Sequence, residues 1–287
     1  MKALRKIFDI FDTVKTHGIL VILTVLVLTP VFWIVNTSLQ EGGNLFSGQQ
    51  LNLMGLTVSN YRKLIEHSDF FLWIKNSFIV CASSTLFSLI FTCTAGYAFS
   101  RFTFPGKKKG LMFMIIIQMF PAMMAMVALY NLLDVFDKFT GGIVGFNLLG
   151  LVLIYTGGNI PFNSWLIKGY LDSIPRELEE SAYIDGASKW QTFTMIVLPL
   201  MGPIMAVIGI FSFIGAYNDF LIPSIVLQDS SQYTLAVGLR GFISGKFSTE
   251  WAQFAAASVL GALPILIVFL ALQRFLVEGL TKGALKG

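Results

Sequence analysis

Six stretches of this chain run for at least 23 residues without one Asp, Glu, Lys or Arg: Gly18 to Gln40, Asn76 to Ser100, Gly110 to Leu133, Phe139 to Ile167, Trp190 to Asn218 and Trp251 to Gln273. A helix crosses a hydrocarbon core of roughly 30 Å with about 20 predominantly apolar residues, whereas helices of soluble domains usually run about 8 to 20 residues and carry a polar face. The pattern predicts an all-α integral membrane protein with six transmembrane helices. Composition agrees, since 55% of residues are hydrophobic and only 13% charged, about half of the roughly 25% usual in soluble domains. The first stretch is too long for the apolar core of a signal peptide and ends in Asn36-Thr37-Ser38 without a small-x-small cleavage site, so an uncleaved anchor is expected.

The remaining charges inform by position. Twenty Lys and Arg against 16 Asp and Glu leave +4, too small an excess on so apolar a chain for nucleic-acid binding. With the N-terminus placed inside, the inner segments hold Lys2, Arg5, Lys6, Lys15, Arg101, Lys107, Lys108, Lys109, Lys168, Arg176, Lys189, Arg274, Lys282 and Lys286. The outer loops hold Arg62, Lys63, Lys75, Lys138, Arg240 and Lys246. Basic residues of short loops stay cytoplasmic, so this 14 to 6 split predicts both termini inside. Trp33, Trp73, Trp165, Trp190 and Trp251 all fall near the ends of the apolar stretches, as an interfacial aromatic belt does.

Several kinds of chemistry find no support. Cys81 and Cys93, if they share a helix, lie about 18 Å apart, too far to pair. His17 and His67 are distant in sequence, and no CxxC or HExxH spacing occurs, so no metal site is expected. Gly241 to Lys246 superficially resembles a phosphate-binding loop. The spacing fails, because Arg240 takes the place of the first glycine and Phe247 follows Lys246, so the chain has no visible ATP site. Small residues four apart in the last span, around Ala255-Ala256-Ala257-Ser258, Gly261 and Ala262, allow close helix approach. Pro30, Pro121, Pro203 and Pro264 are candidate kinks inside or near span ends.

Lys168 to Pro199 is the only inner loop long enough to hold structure of its own. Pro175 suits a first helical turn, and Glu177, Glu179 and Glu180 place negative charge at the positive end of the helix dipole. The helix should run to about Asp185, where Gly186 can take positive φ and end it. Trp190, Phe193 and Ile196 then recur every three residues as an apolar stripe, up to Leu198-Pro199, with Pro199 beginning the fifth span.

The arrangement Glu180-Ser181-Ala182, three residues, Gly186, nine residues, Ile196, one residue, Leu198-Pro199 resembles the EAA loop of ABC-importer permeases, with Ser181 in place of an alanine. Tyr97 to Phe102, Phe104 to Lys108, Met119-Phe120-Pro121, Trp165-Leu166 with Gly169-Tyr170, Ile174 to Glu180 and the tail from Gly279 to Gly287 are similar to the carbohydrate, maltose-type branch of that family. The likeness covers almost the whole chain, with Glu41 to Asp69 the least diagnostic part. It implies a type I ABC-importer permease fold. Residues 1–70 would hold the cytoplasmic start, first span and outer loop, residues 71–277 a permease core that includes the loop 168–199, and residues 278–287 a cytoplasmic tail. It also implies that the loop is a coupling helix between spans 4 and 5, docking into a groove on an ATPase subunit. Its coupling residues would be Glu179, Glu180, Ser181, Ala182, Asp185, Gly186, Ala187, Ile196, Leu198 and Pro199. The implied partners are a second permease subunit, two ATPase subunits that carry ATP and Mg, and an extracytoplasmic sugar-binding protein, assembled in the cytoplasmic membrane. No cofactor is expected on this chain.

Tyr217-Asn218-Asp219 closes the fifth span and supplies the candidates for the substrate path, since an ionisable group at membrane depth is usually functional or paired. At the outer end of a helix, Asp219 would equally serve by reaching interfacial water. Gln118 and Asn147 read as interhelical hydrogen-bonding groups. Maltodextrin-like oligosaccharides are the substrate that the resemblance implies, and another small polar solute is the alternative. A secondary transporter would show repeated halves, interrupted helices or charges for ion coupling, and a lone Asp219 is a poor proton relay. A membrane-embedded enzyme would need a nucleophile and base converging in the spans, and no such set is available.

Overall fold

The computed structural model describes residues 2–41, 55–244 and 250–284, with side chains described over 14–41, 55–121, 123–244 and 250–273. Of the basic residues used to orient the chain, Lys2, Arg5, Lys6, Lys246, Arg274, Lys282 and Lys286 lie outside the described side chains, as do most of the outer loop after Glu41 and the end of the tail.

Among the described residues the regular structure is helical, and the one extended pairing is an isolated bridge between Gln40 and Leu56. In chain order the helices are α1 (Lys2–Ser38), α2 (Ser59–His67), α3 (Phe70–Arg101), α4 (Lys107–Gln118), α5 (Ala122–Thr140) and α6 (Leu148–Asp172). They continue with α7 (Glu177–Ile184), α8 (Lys189–Thr192), a π-helical turn (Phe193–Val197), α9 (Leu198–Leu200), α10 (Gly202–Asn218), α11 (Leu221–Val226), α12 (Leu235–Arg240) and α13 (Trp251–Ala284).

Among the described residues, three helical segments are long and apolar enough to cross a membrane: Val14–Ser38, Phe70–Arg101 and Trp251–Gln273. Two bent pairs raise the number to five if each is one span: α4 with α5, bent by 104°, and Lys189–Leu200 with α10, bent by 70°. Both bends fall at expected prolines, Pro121 and Pro203, where a backbone donor is missing. The stretch Phe139 to Ile167 differs from its sequence reading. α5 ends at Thr140, Gly141 and Gly142 turn the chain with φ of 64° and 88°, and α6 starts only at Leu148. Gly157-Gly158-Asn159 and Pro161 then dilute the apolar character of α6.

The chain divides into two compact units, Met1–Ser68 with Leu239–Ala262, and Asp69–Gly238 with Leu263–Gly287. In the first, α1 leaves its apolar side chains from Ile19 to Leu28 exposed, the surface of a helix suited to lipid. Its end is tied to the start of α2. Ser38 and Tyr61 share a hydrogen bond of 2.6 Å, and Asn60 Nδ2 donates to the carbonyls of Ser38 and Gln40, each at 2.9 Å. Ala255, Ala256, Ala257 and Gly261 are buried, as small packing residues should be.

In the second unit α3 lies along α6, and α10 packs against both. A buried row on α3 explains the close approach: Ser84, Ser88, Thr92, Gly96 and Ser100 recur every four residues and so share one face. A Cβ on Gly96 would sit 2.5 Å from Ile167 Cγ2, so only glycine fits there. Among the described residues, two apolar cores result. One joins Tyr97 and Cys93 of α3 to Ile167 and Leu171 of α6, Phe193 and Val197 of the π turn, and Met201 and Ile208. The other joins Val80, Leu133, Leu151, Val152, Val226 and Leu227.

Candidate functional site

The loop from Lys168 to Pro199 folds as a helical hairpin seated on the end of α3. α7 starts at Glu177 with three acidic residues in its first turn and stops by a glycine device foreseen from the sequence. Gly186 takes φ of 86°, its N–H donates to the Tyr183 carbonyl, and Ala187 N–H reaches back to Ala182 at 2.9 Å. This pair of bonds satisfies two carbonyls at the helix end and fixes the turn into α8. α8 opens with a reciprocal cap, Ser188 Oγ accepting from Gln191 N–H while Gln191 Oε1 accepts from Ser188 N–H.

The helical period divides the expected coupling residues between two faces. Glu179 and Ala182 are buried against the chain's own core side, whereas Glu180, Ser181, Asp185 and Gly186 are exposed, together with Ile184 at 86% exposure. Ala187, Ile196 and Leu198 are half-buried, and Pro199 is exposed. Leu198 packs beside the core that holds Phe193. The stripe read as Trp190, Phe193 and Ile196 needs correction. Trp190 is 66% exposed and Ile196 only half-buried, while Phe193, Val197 and Met201 form the buried face. The intervening π turn winds more slowly than an α-helix, so residues four apart line up where a spacing of three had been read. Pro199 likewise sits within the hairpin's second arm, and the long apolar helix begins after the bend, at Gly202.

What holds α7 down is a buried ionic cluster. Arg101 Nε donates to Glu179 Oε1 at 2.5 Å, both side chains being only 6% exposed. Tyr97 OH donates to the other carboxylate oxygen at 3.0 Å, and Arg101 also donates to the Ile174 carbonyl at 3.0 Å. A carboxylate with both oxygens engaged, facing a guanidinium whose fork is shared with a backbone carbonyl, meets the condition under which a buried charge pair is tolerated. Around it Ser100 Oγ donates to Asp172 at 2.7 Å, Asp172 pairs with Lys168, and Arg176 donates to the Ser100 carbonyl at 3.2 Å. The Tyr97 ring also lies 4.7 Å from that of Phe193, and the Lys189 ammonium sits 5.4 Å from the centre of the Phe102 ring. One end of α3 thus carries both arms of the hairpin. Sequence reasoning missed this role for Arg101 and Tyr97, because the partners are 78 and 82 residues apart. The available signal was an arginine directly ending an uncharged stretch and a glutamate on the inward face of a short helix.

The substrate-path candidates do not converge. Tyr217 is buried with its ring stacked 6.1 Å from Phe213, and Asn218 is exposed. Asp219 is engaged on both oxygens, accepting from Tyr155 OH and from Leu221 N–H at 2.9 Å each, which pins the end of α10 to α6 and starts α11. Tyr155 itself lines an open cavity of about 680 Å³ bordered by α4, α5, α6 and Ile222 of α11, which also presents Gln118 and Asn159. None of Tyr217, Asn218 and Asp219 lines it. Gln118 donates to the Gly158 carbonyl at 2.7 Å, the interhelical bond expected of it. Asn147 instead caps α6 by accepting from Gly150 N–H.

The fold is that of an ABC-importer permease. It superposes on a chain of a bacterial ABC transporter involved in the import of the acidic polysaccharide alginate with a TM-score of 0.77, at 21% identity over 93% of this chain and 96% of that one. Residues 88–282 match the family described as "Binding-protein-dependent transport system inner membrane component", and the chain belongs to that family. It is 39% identical over 284 residues to the maltose/maltodextrin transport system permease protein MalG of Escherichia coli K12, covering 95% of each chain. To the maltodextrin transport system permease protein MdxG of Bacillus subtilis 168 it is 35% identical over 283 residues, covering 96% of this chain and 97% of that one.

Proposed function

We propose that this chain is the transmembrane permease subunit of an ATP-driven, binding-protein-dependent importer of maltodextrin-like oligosaccharides. It spans the cytoplasmic membrane six times with both termini cytoplasmic, α6 and the two bent pairs each serving as a span, and residues 71–277 make up the permease core. It pairs with a second permease subunit to form the path and receives sugar from an extracytoplasmic binding protein. ATP and Mg are held by two separate ATPase subunits, and this chain hydrolyses nothing. α7 is the coupling helix. Glu180, Ser181, Ile184 and Asp185 meet the ATPase, while Glu179 and Ala182 fasten the helix to its own subunit. Such a division suits a part that must seat in another protein and still move with its own. The sugar reading rests on one observation, near full-length likeness to permeases of maltose and maltodextrin systems. Uptake of labelled maltotriose by the reconstituted complex tests it. Transport should require ATP and the binding protein and be competed by longer maltodextrins. Competition only by an unrelated small polar solute would leave a permease with a different cargo.

A further inference from the structure

At the cytoplasmic start of α4 the chain breaks an electrostatic rule. Lys107, Lys108 and Lys109 occupy the first turn, with no acidic residue beside them, although the positive end of a helix dipole favours negative charge. Gly106, at φ of 85°, precedes them and offers no side-chain cap. These lysines, with Lys168 of α6, line a cavity of about 1100 Å³ whose other walls are apolar: Leu111, Met112 and Ile115 of α4, with Phe104 and Trp165. Not all four charges are free. Lys107 Nζ donates to the carbonyls of Ser100 and Phe102, and Lys168 pairs with Asp172, which leaves Lys108 and Lys109 exposed at the mouth.

We propose that this cavity binds an anionic phospholipid, its headgroup phosphate among the lysines and an acyl chain along Leu111, Met112 and Ile115. A free phosphate would account for the lysines but not for the apolar walls, and a protein loop would not call for the apolar surface that α4 continues beyond the cavity at Phe113, Ile116 and Ile117, all more than half exposed. The combination of cationic rim, neighbouring tryptophan and apolar floor is that of a membrane interface. An anion there would also offset the like charges stacked at the start of α4. The inference rests on the proposed membrane placement of α4, and its readout is independent of sugar transport.

The test uses the full-length chain purified in detergent with its co-expressed partner subunits, stripped of lipid and examined by native mass spectrometry with added dioleoylphosphatidylglycerol, dioleoylphosphatidylcholine or inorganic phosphate. Phosphatidylglycerol should be retained in preference to phosphatidylcholine. Each lysine at an anionic headgroup is worth about a factor of five, so Lys108→Gln with Lys109→Gln should weaken retention by about 25-fold. Met112→Asp, which spoils the floor and keeps the lysines, should also release the lipid. Equal retention by wild type and both variants overturns the proposal, as does displacement of the lipid by inorganic phosphate. Loss of the ATPase subunit from the double lysine variant with lipid retention unchanged overturns it in favour of a protein-docking surface. Failure of sugar uptake with lipid selectivity intact would count against the transport reading alone.

Discussion

At the scale of single residues, the organising interaction is the contact of Arg101 with Glu179. Both side chains are removed from water, so the pair should be judged by what happens when one half is lost. Removing one partner of a buried ion pair typically costs about 3 to 5 kcal/mol, because the other charge stays buried, while replacing both with apolar residues of similar volume is often neutral. Arg101→Met and Glu179→Met alone should therefore each lower the thermal stability of the purified complex and reduce retention of the ATPase subunit, and the double variant should recover much of the loss. A double variant no better than either single one would mean that the charges themselves, rather than a satisfied contact, are required. Asp219 belongs to another class of residue. Its two oxygens are taken by Tyr155 and the backbone of Leu221, which makes it a fastener between the end of α10 and α6.

At the scale of elements, Gly186 decides how the hairpin turns. A Cβ there would meet nothing within 4 Å, so a substitution acts through backbone strain alone. For valine at positive φ that strain is on the order of 1 to 3 kcal/mol. Gly186→Val should leave the amount of protein in the membrane unchanged while lowering co-purification of the ATPase subunit and sugar uptake. Unchanged uptake at normal expression would remove Gly186 from the coupling role. This turn was legible in the sequence because its signals are local: three glutamates open one short helix and a glycine follows its end, although Pro175 falls before the cap at Arg176 rather than in the first helical turn. The long apolar helices were legible for a similar reason, since absence of charge is a property of each stretch by itself. What sequence could not supply was anything that depends on distance along the chain. The row from Ser84 to Ser100 looks unremarkable until Ile167 is placed against Gly96. The three-residue stripe of Trp190, Phe193 and Ile196 does not share one face in the hairpin's second arm because a π turn changes the winding, and no residue type announces one. The break from Gly141 to Asn147 was hidden by the lack of charge in it.

At the scale of the molecule, the proposed orientation makes a plain forecast for surface labelling. Single cysteines placed at Lys108 or Lys189 should react only with reagents that reach the cytoplasm, and one at Asp229 should react from outside. Cys81 and Cys93 are 1% and 3% exposed, so the native background should be low and replacing them need not precede the experiment. Labelling of position 189 from outside would overturn the six-span arrangement. The 70° bend between Lys189–Leu200 and α10 has a mechanical meaning of its own. Two stiff rods joined at a steep angle act as a bell crank, in which motion along the short arm reaches the long one chiefly as a sideways swing. A thrust entering by the hairpin would accordingly splay α10 rather than drive it along its axis, opening or narrowing whatever passage that helix borders.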